Sequence, residues 1–198
     1  SCLFTISSHS PYDHPGERKL TFNSTEDAYV NSVAYTDSCL GVFIKKVKKK
    51  NYYDNTLFIV VSDHSHNSPI RRRLAEKERF KIPMLWFGKP INQKYHGEIN
   101  SNLGSHFDIA KTLLNQLNIE SEKFKYGRDL FSNNKNRFVP FVFPKGYAMI
   151  QKDGYYAYSE IYNKIIEEPK NKRIANIFKK DTELFFQISY DEYINLGK

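Results

Sequence analysis

An α/β fold is predicted, built on a largely parallel sheet flanked by helices and closed by a small antiparallel hairpin and a terminal helix. Three observations carry it. Leu57-Phe58-Ile59-Val60-Val61 is a short apolar run, rich in β-branched residues and bounded by polar groups. Such a run reads as a buried strand, and buried strands belong to parallel sheets covered on both faces. Strand-like and helix-like segments succeed one another along residues 1–131 without an internal repeat. Beyond Asn118 the pattern changes to alternation around Asp153-Gly154, a hairpin-turn signal.

Leu3 to Ser7 reads as a short strand that opens the chain abruptly, as a fragment would. Pro11 ends any pairing, and Asp13 to Asn23, with Pro15-Gly16, is a connection. Ser24 and Asp27 form a capping box for a helix over Glu26 to Lys49. Its apolar face is Val30, Val33, Ala34, Leu40, Ile44 and Val47, and Cys39 is a small buried hydrophobe. After the Leu57–Val61 strand, Asn67 to Phe80 is a charged loop with at most one helical turn. Ile82 to Gly88 is a second buried strand, entered at Pro83. Ser105 and Asp108 cap a helix that gathers Ile109, Ala110, Leu113, Leu114 and Leu117 on one side. In residues 132–198, Phe138 to Phe143 is apolar and aromatic. Gly146 to Ile150 and Tyr155 to Glu160 flank the hairpin turn, and Asp181 to Leu196 is the last helix.

No linker divides the 198 residues, and 40% hydrophobic against 26% charged content places the chain among folded proteins. No apolar run reaches the ~20 residues of a membrane span. The net charge of +8 leaves two readings. One is a surface for polyanions. The other is a solvated lysine-rich exterior in which Lys45 to Lys50 simply end a helix.

Asp63 and His64 stand just past the predicted strand, where open α/β sheets bind ligands. A carboxylate oxygen beside an imidazole nitrogen suits zinc or manganese. Equally, the aspartate caps a nearby helix and the histidine braces the loop. His66, two residues on, adds an imidazole that a loop can bring to the same ligand. His9 follows the first predicted strand. If that strand runs parallel to the 57–61 strand, His9 emerges at the same sheet edge and is placed to donate to an anionic substrate or a leaving group; otherwise it is a turn histidine. His14, His96 and His106 stand alone.

Asn55 to His64 resembles the "NTLfVvtgDHG" signature of the sulfatase family, within the alkaline phosphatase superfamily. Further segments agree in order with its lipoteichoic acid synthase-like branch. Thr5 to Tyr12 resembles "T.SsHxPf", Tyr35 to Phe43 "YtDxxlgxF", and Ile82 to Gly88 "vPlliyG". Ser105 to Leu114 resembles "sqxDiaPTLL" and Tyr126 to Phe131 "fGrsLf". The resemblance implies an alkaline phosphatase-like sheet, phosphate or sulfate esters as substrates, and a divalent metal (Mn, Mg, Zn or Ca). It makes Asp63 and His64 metal ligands, His9 a contact to the transferring group, and His66 a second group at the pocket. In the family the nucleophile and another metal-binding carboxylate lie upstream of the "SsHxPf" segment, and no C/S-x-P-x-R motif occurs in this chain. The resemblance therefore implies the C-terminal portion of such an enzyme, with no nucleophile of its own. Its partners would be the missing N-terminal part, the ester substrate, and, through upstream helices, the outer side of a bacterial membrane; no nucleic acid is expected. A phosphoglycerol or phosphodiester transferase is favoured over a sulfate ester hydrolase and over a non-catalytic polyanion-binding module.

Overall fold

The computed structural model describes residues 1–17, 19–20, 24–133 and 137–196. They fall into two compact units, residues 1–72 with 81–98, and residues 73–80 with 99–198. The helix over 106–116, read from the sequence with the first 131 residues, lies in the second unit.

The first unit holds helix α1 (Thr25–Val47) and strands β1 (Phe58–Val61) and β2 (Met84–Phe87). α1 begins where Ser24 Oγ accepts the Asp27 N–H at 3.1 Å, and it ends on Lys45 and Lys46. Its buried residues are Ala28, Asn31, Ser32 and Val47, whereas Val33 is 40% exposed and Cys39 is exposed. The helix thus turns a more polar face inward than expected. The reason is the preceding connection, whose Lys19 and Leu20 N–H groups both bond Asn31 Oδ1 at 2.9 Å.

β1 and β2 pair antiparallel, Phe58 opposite Phe87 and Val61 opposite Met84, with the Phe58 and Phe87 rings stacked at 5.1 Å. The α/β class holds, but the parallel pairing expected of the 57–61 run is not found among the described strands. An apolar run reports burial, not the direction of its neighbour. Burial is also partial, since a two-stranded sheet covers neither face and Val60 is 36% exposed. Residues 3–7 form no strand, and Leu3, Phe4 and Ile6 are exposed. A strand exists through its ladder, and no described residue supplies one there.

The second unit holds α2 (His106–Gln116), strands β3 (Phe138–Phe143), β4 (Gly146–Gln151), β5 (Gly154–Ser159) and β6 (Lys164–Glu167), and α3 (Lys172–Asn195). The four strands form an antiparallel meander in sequence order, so the expected hairpin is the centre of a larger sheet. Its turn is Lys152-Asp153, closed by Gly154 at φ +147, a backbone angle that favours glycine. One face buries Phe141, Phe143, Ala148 and Ala157 with Ala75, and the partly buried Phe80, from the short helical turn Lys77–Phe80 in the charged loop, packs against them. α3 packs against β4 and β5, with Ala175, Phe178 and Thr182 buried. It starts nine residues before the predicted position, because Asn171 Oδ1 caps the Arg173 and Ile174 N–H groups.

Candidate functional site

The turn at residues 6–12 follows from short backbone bonds, His9 N–H to Ile6 O at 2.9 Å and Tyr12 N–H to His9 O at 2.8 Å. Tyr12 adopts φ +69, rarely occupied by an aromatic residue. The turn is fastened to α1, where Ser8 Oγ meets Thr36 Oγ1 at 3.2 Å and the His14 ring stacks on Tyr35 at 4.9 Å. Both helix residues belong to the "YtDxxlgxF" segment, so that segment serves to seat the His9 turn. Gly16 permits the approach, since a Cβ there would lie 2.5 Å from the Tyr35 ring.

His9 is exposed, and its Nδ1–H donates to Ser10 O at 2.8 Å, leaving Nε2 open. No hydrogen bond joins its ring to Asp63, His64 or His66 among the described residues.

Asp63 and His64 follow β1 after Ser62, with side chains 70% and 76% exposed. Asp63 Oδ1 accepts the His64 backbone N–H at 2.8 Å, and Ser62 Oγ donates to His64 O at 2.6 Å. His64 Nδ1 lies 2.8 Å from Ser65 O. A carbonyl only accepts, so Nδ1 carries the proton and the Nε2 lone pair is free, 3.6 Å from Asp63 Oδ2. This is how a metal-ligating histidine is normally oriented, by a carbonyl on its second nitrogen. The donor pair therefore fits a divalent cation in kind. It does not complete one, since structural and catalytic zinc sites draw three or four protein ligands and no group of three or more His, Cys, Asp or Glu occurs among the described residues.

His66 is differently engaged. Its Nδ1 accepts the Ser68 N–H at 3.0 Å and its Nε2 meets Tyr12 Oη at 2.9 Å. Its ring lies 3.7 Å from Tyr29 at 16°, stacked. Tyr29 is partly buried, and burial, with Tyr12 secondarily, raises its pKa. Downstream, Arg71 reaches Glu26 at the start of α1 at 3.4 Å, and that carboxyl is held below its usual range first by its own backbone N–H and then by Arg71.

Two remaining family-like segments meet in the second unit. Asp108, only 1% exposed, accepts the Ser105 N–H at 2.8 Å and the Arg128 N–H at 2.7 Å. Thr112 Oγ1 accepts the Leu130 N–H at 2.9 Å, and Arg128 donates to Phe138 O at 2.7 Å while lying over the Phe138 ring. Burial lowers the Arg128 pKa and Asp108 opposes the shift. These motif residues are architecture, welding α2 to residues 126–131. Asp108 was read from the sequence as the capping partner of Ser105, and that bond is present. Its second bond, to the Arg128 N–H, and the fixtures Tyr12, Tyr29 and Thr112 were missed, although Tyr29 and Thr112 are an aromatic and a polar side chain inside helical patterns.

Helices combined with antiparallel sheets define a mixed α/β protein, and solved structures of the alkaline phosphatase superfamily share the arrangement. A member of that superfamily from Vibrio parahaemolyticus matches with a TM-score of 0.73 and 25% identity, covering 96% of this chain and 48% of its own. A lipoteichoic acid synthase from Listeria monocytogenes matches with a TM-score of 0.64 and 22% identity, covering 97% and 53%. The Sulfatase family model matches residues 1–119. The chain belongs to the sulfatase family. Lipoteichoic acid synthase of Staphylococcus aureus (strain USA300) is 29% identical over an alignment of 180 residues that covers 82% of this chain and 27% of that relative. The chain thus spans about a quarter of the length of the curated relatives it matches.

Proposed function

We propose that this chain is the C-terminal portion of a metal-dependent enzyme that acts on phosphate or sulfate esters, and within that class a phosphoglycerol or phosphodiester transferase. The observation that carries the reading is the Asp63–His64 pair at the end of β1, inside the family match, with a free imidazole lone pair beside a free carboxylate oxygen. The similarity to lipoteichoic acid synthases favours a phosphodiester over a sulfate ester. A preceding segment would supply the nucleophile and the other ligands, in keeping with structural relatives about twice as long.

Asp63 and His64 would hold the divalent ion, which when bound supplies positive charge to the reacting oxygen and to the transferring group. Ser65 O keeps His64 in the ligating tautomer. His9, protonated to the imidazolium with its Nδ1–H on Ser10 O, would turn its Nε2–H to the transferring group or to what leaves. Members tied to a membrane by upstream helices would place these residues on its outer side; no described helix here is long and apolar enough to cross one.

In the full-length protein, Asp63→Ala is expected to abolish manganese-stimulated hydrolysis of bis(p-nitrophenyl) phosphate while the protein stays folded. Full activity of D63A would refute the assignment. Turnover of p-nitrophenyl sulfate in preference to the phosphodiester would select the sulfatase alternative. Salt-sensitive binding of polyanions without metal uptake would select the binding module.

A further inference from the structure

We propose that Tyr12, His66 and Tyr29 form a positioning clamp that fixes the His9 turn against the Asp63–His64 loop; the proposal rests on reading those residues as the site. His66 lies two residues beyond His64, and Tyr12 closes the turn that carries His9 by donating its own N–H to His9 O at 2.8 Å. The hydrogen bond between their side chains, 2.9 Å long, therefore spans the two segments that bear the site residues.

The chemistry of that bond is fixed by its neighbours. A backbone N–H only donates, so the Ser68 N–H on His66 Nδ1 requires a lone pair there. The His66 proton is then on Nε2, and Tyr12 Oη accepts it. Both ring nitrogens are occupied within the protein, so His66 acts through Tyr12 instead of meeting a substrate itself. Tyr29 of α1 completes the clamp. It stacks on His66, and Tyr12 stands edge-on to both rings at 5.8 Å. Turn, helix and loop are thus joined through three rings, with polar contacts in fixed directions.

Tyr12 also holds a left-handed backbone, φ +69, which an aromatic residue adopts only where its surroundings enforce it. The enforcement is visible, since the N–H, the ring and the hydroxyl each have a partner. Ser8–Thr36 and His14–Tyr35 seat the same turn on α1 but leave the Asp63–His64 loop untouched. Tyr12 and His66 are accordingly positioning residues.

The test uses the full-length protein with nitrogen-15 histidine, read by long-range proton–nitrogen NMR, and Tyr12→Phe, which removes the acceptor and keeps the ring. Wild-type His66 is expected as the Nε2–H form; a proton on Nδ1 would overturn the clamp whether or not the variant folds. In Y12F the His66 signals should move together with those of His9 and His64. The kcat for bis(p-nitrophenyl) phosphate should fall about 10- to 100-fold at little-changed KM, as displacement of a reacting group by about 1 Å would produce. Movement of His66 alone, with kcat unchanged, would reduce the contact to ordinary packing and refute the proposal. Added Mn2+ separates the two ideas. His64 signals that stay sharp would overturn the metal-site reading, whereas the His66 tautomer and the coupled shifts bear only on the clamp.

Discussion

Tyr156 is fully buried in β5, and its hydroxyl has no hydrogen-bond partner among the described residues. Burial first, then Glu183, pushes its pKa up. A group with a raised folded pKa contributes fully below its unfolded value, near pH 10, and that contribution is lost as pH rises beyond it. Tyr156→Phe removes an unsatisfied hydroxyl without opening a cavity. It should leave neutral-pH stability unchanged or raise it by up to about 1 kcal/mol. It should also flatten, without abolishing, the loss of stability above about pH 10, because Tyr29, Tyr147 and Tyr155 have pKa values raised by burial in the same direction. Denaturant titrations of both proteins from pH 7 to pH 11 check this; a steeper alkaline loss in Y156F would contradict it.

At the scale of elements, Gly127 shows why a motif glycine need not be catalytic. A Cβ there would lie 2.3 Å from Phe107 O, a backbone atom of α2 that cannot swing away. Gly127→Ala should therefore prise residues 126–131 from α2 and cost about 2 kcal/mol, the scale of a forced overpacking, seen as a lower midpoint in urea with an unchanged slope. Wild-type stability in this variant would contradict the weld between α2 and its following segment. Both helix starts at Ser24 and Ser105 were legible in the sequence, because a cap is a bond between residues three apart. The β4–β5 hairpin was legible for the same reason, although its turn sits one residue earlier than Asp153-Gly154 suggests. Asp63 and His64 were legible as candidates because the apolar run placed them at a strand end. What the sequence did not disclose was nonlocal. β6 is four residues defined by pairing with β5, the direction of β1 against β2 is set across 84–87, and the partners of His66 lie 54 and 37 positions away.

The whole molecule carries an uneven distribution of cover. The sheet of the first unit has two strands, and isolated two-stranded sheets are marginally stable in water. The second unit instead closes a core on one face of its sheet and seats α3 near the other. Backbone amides of 57–61 and 84–87 should therefore exchange with solvent sooner than those of 147–150 and 155–158. Hydrogen-exchange mass spectrometry on this chain resolves the two sets. Equal protection would argue that both units open together.

The chain's single tryptophan, Trp86, lies in β2 opposite Ile59 of β1, four residues before Asp63. The longest helix, α3, belongs to the other unit. The protein thus carries two optical channels, indole emission for the neighbourhood of the candidate metal pair and far-ultraviolet dichroism from the helices of both units, α1 in the first and α2 and α3 in the second. A urea titration followed in both channels would show the indole transition first, and a divalent ion held by Asp63 and His64 would shift that transition towards the other one.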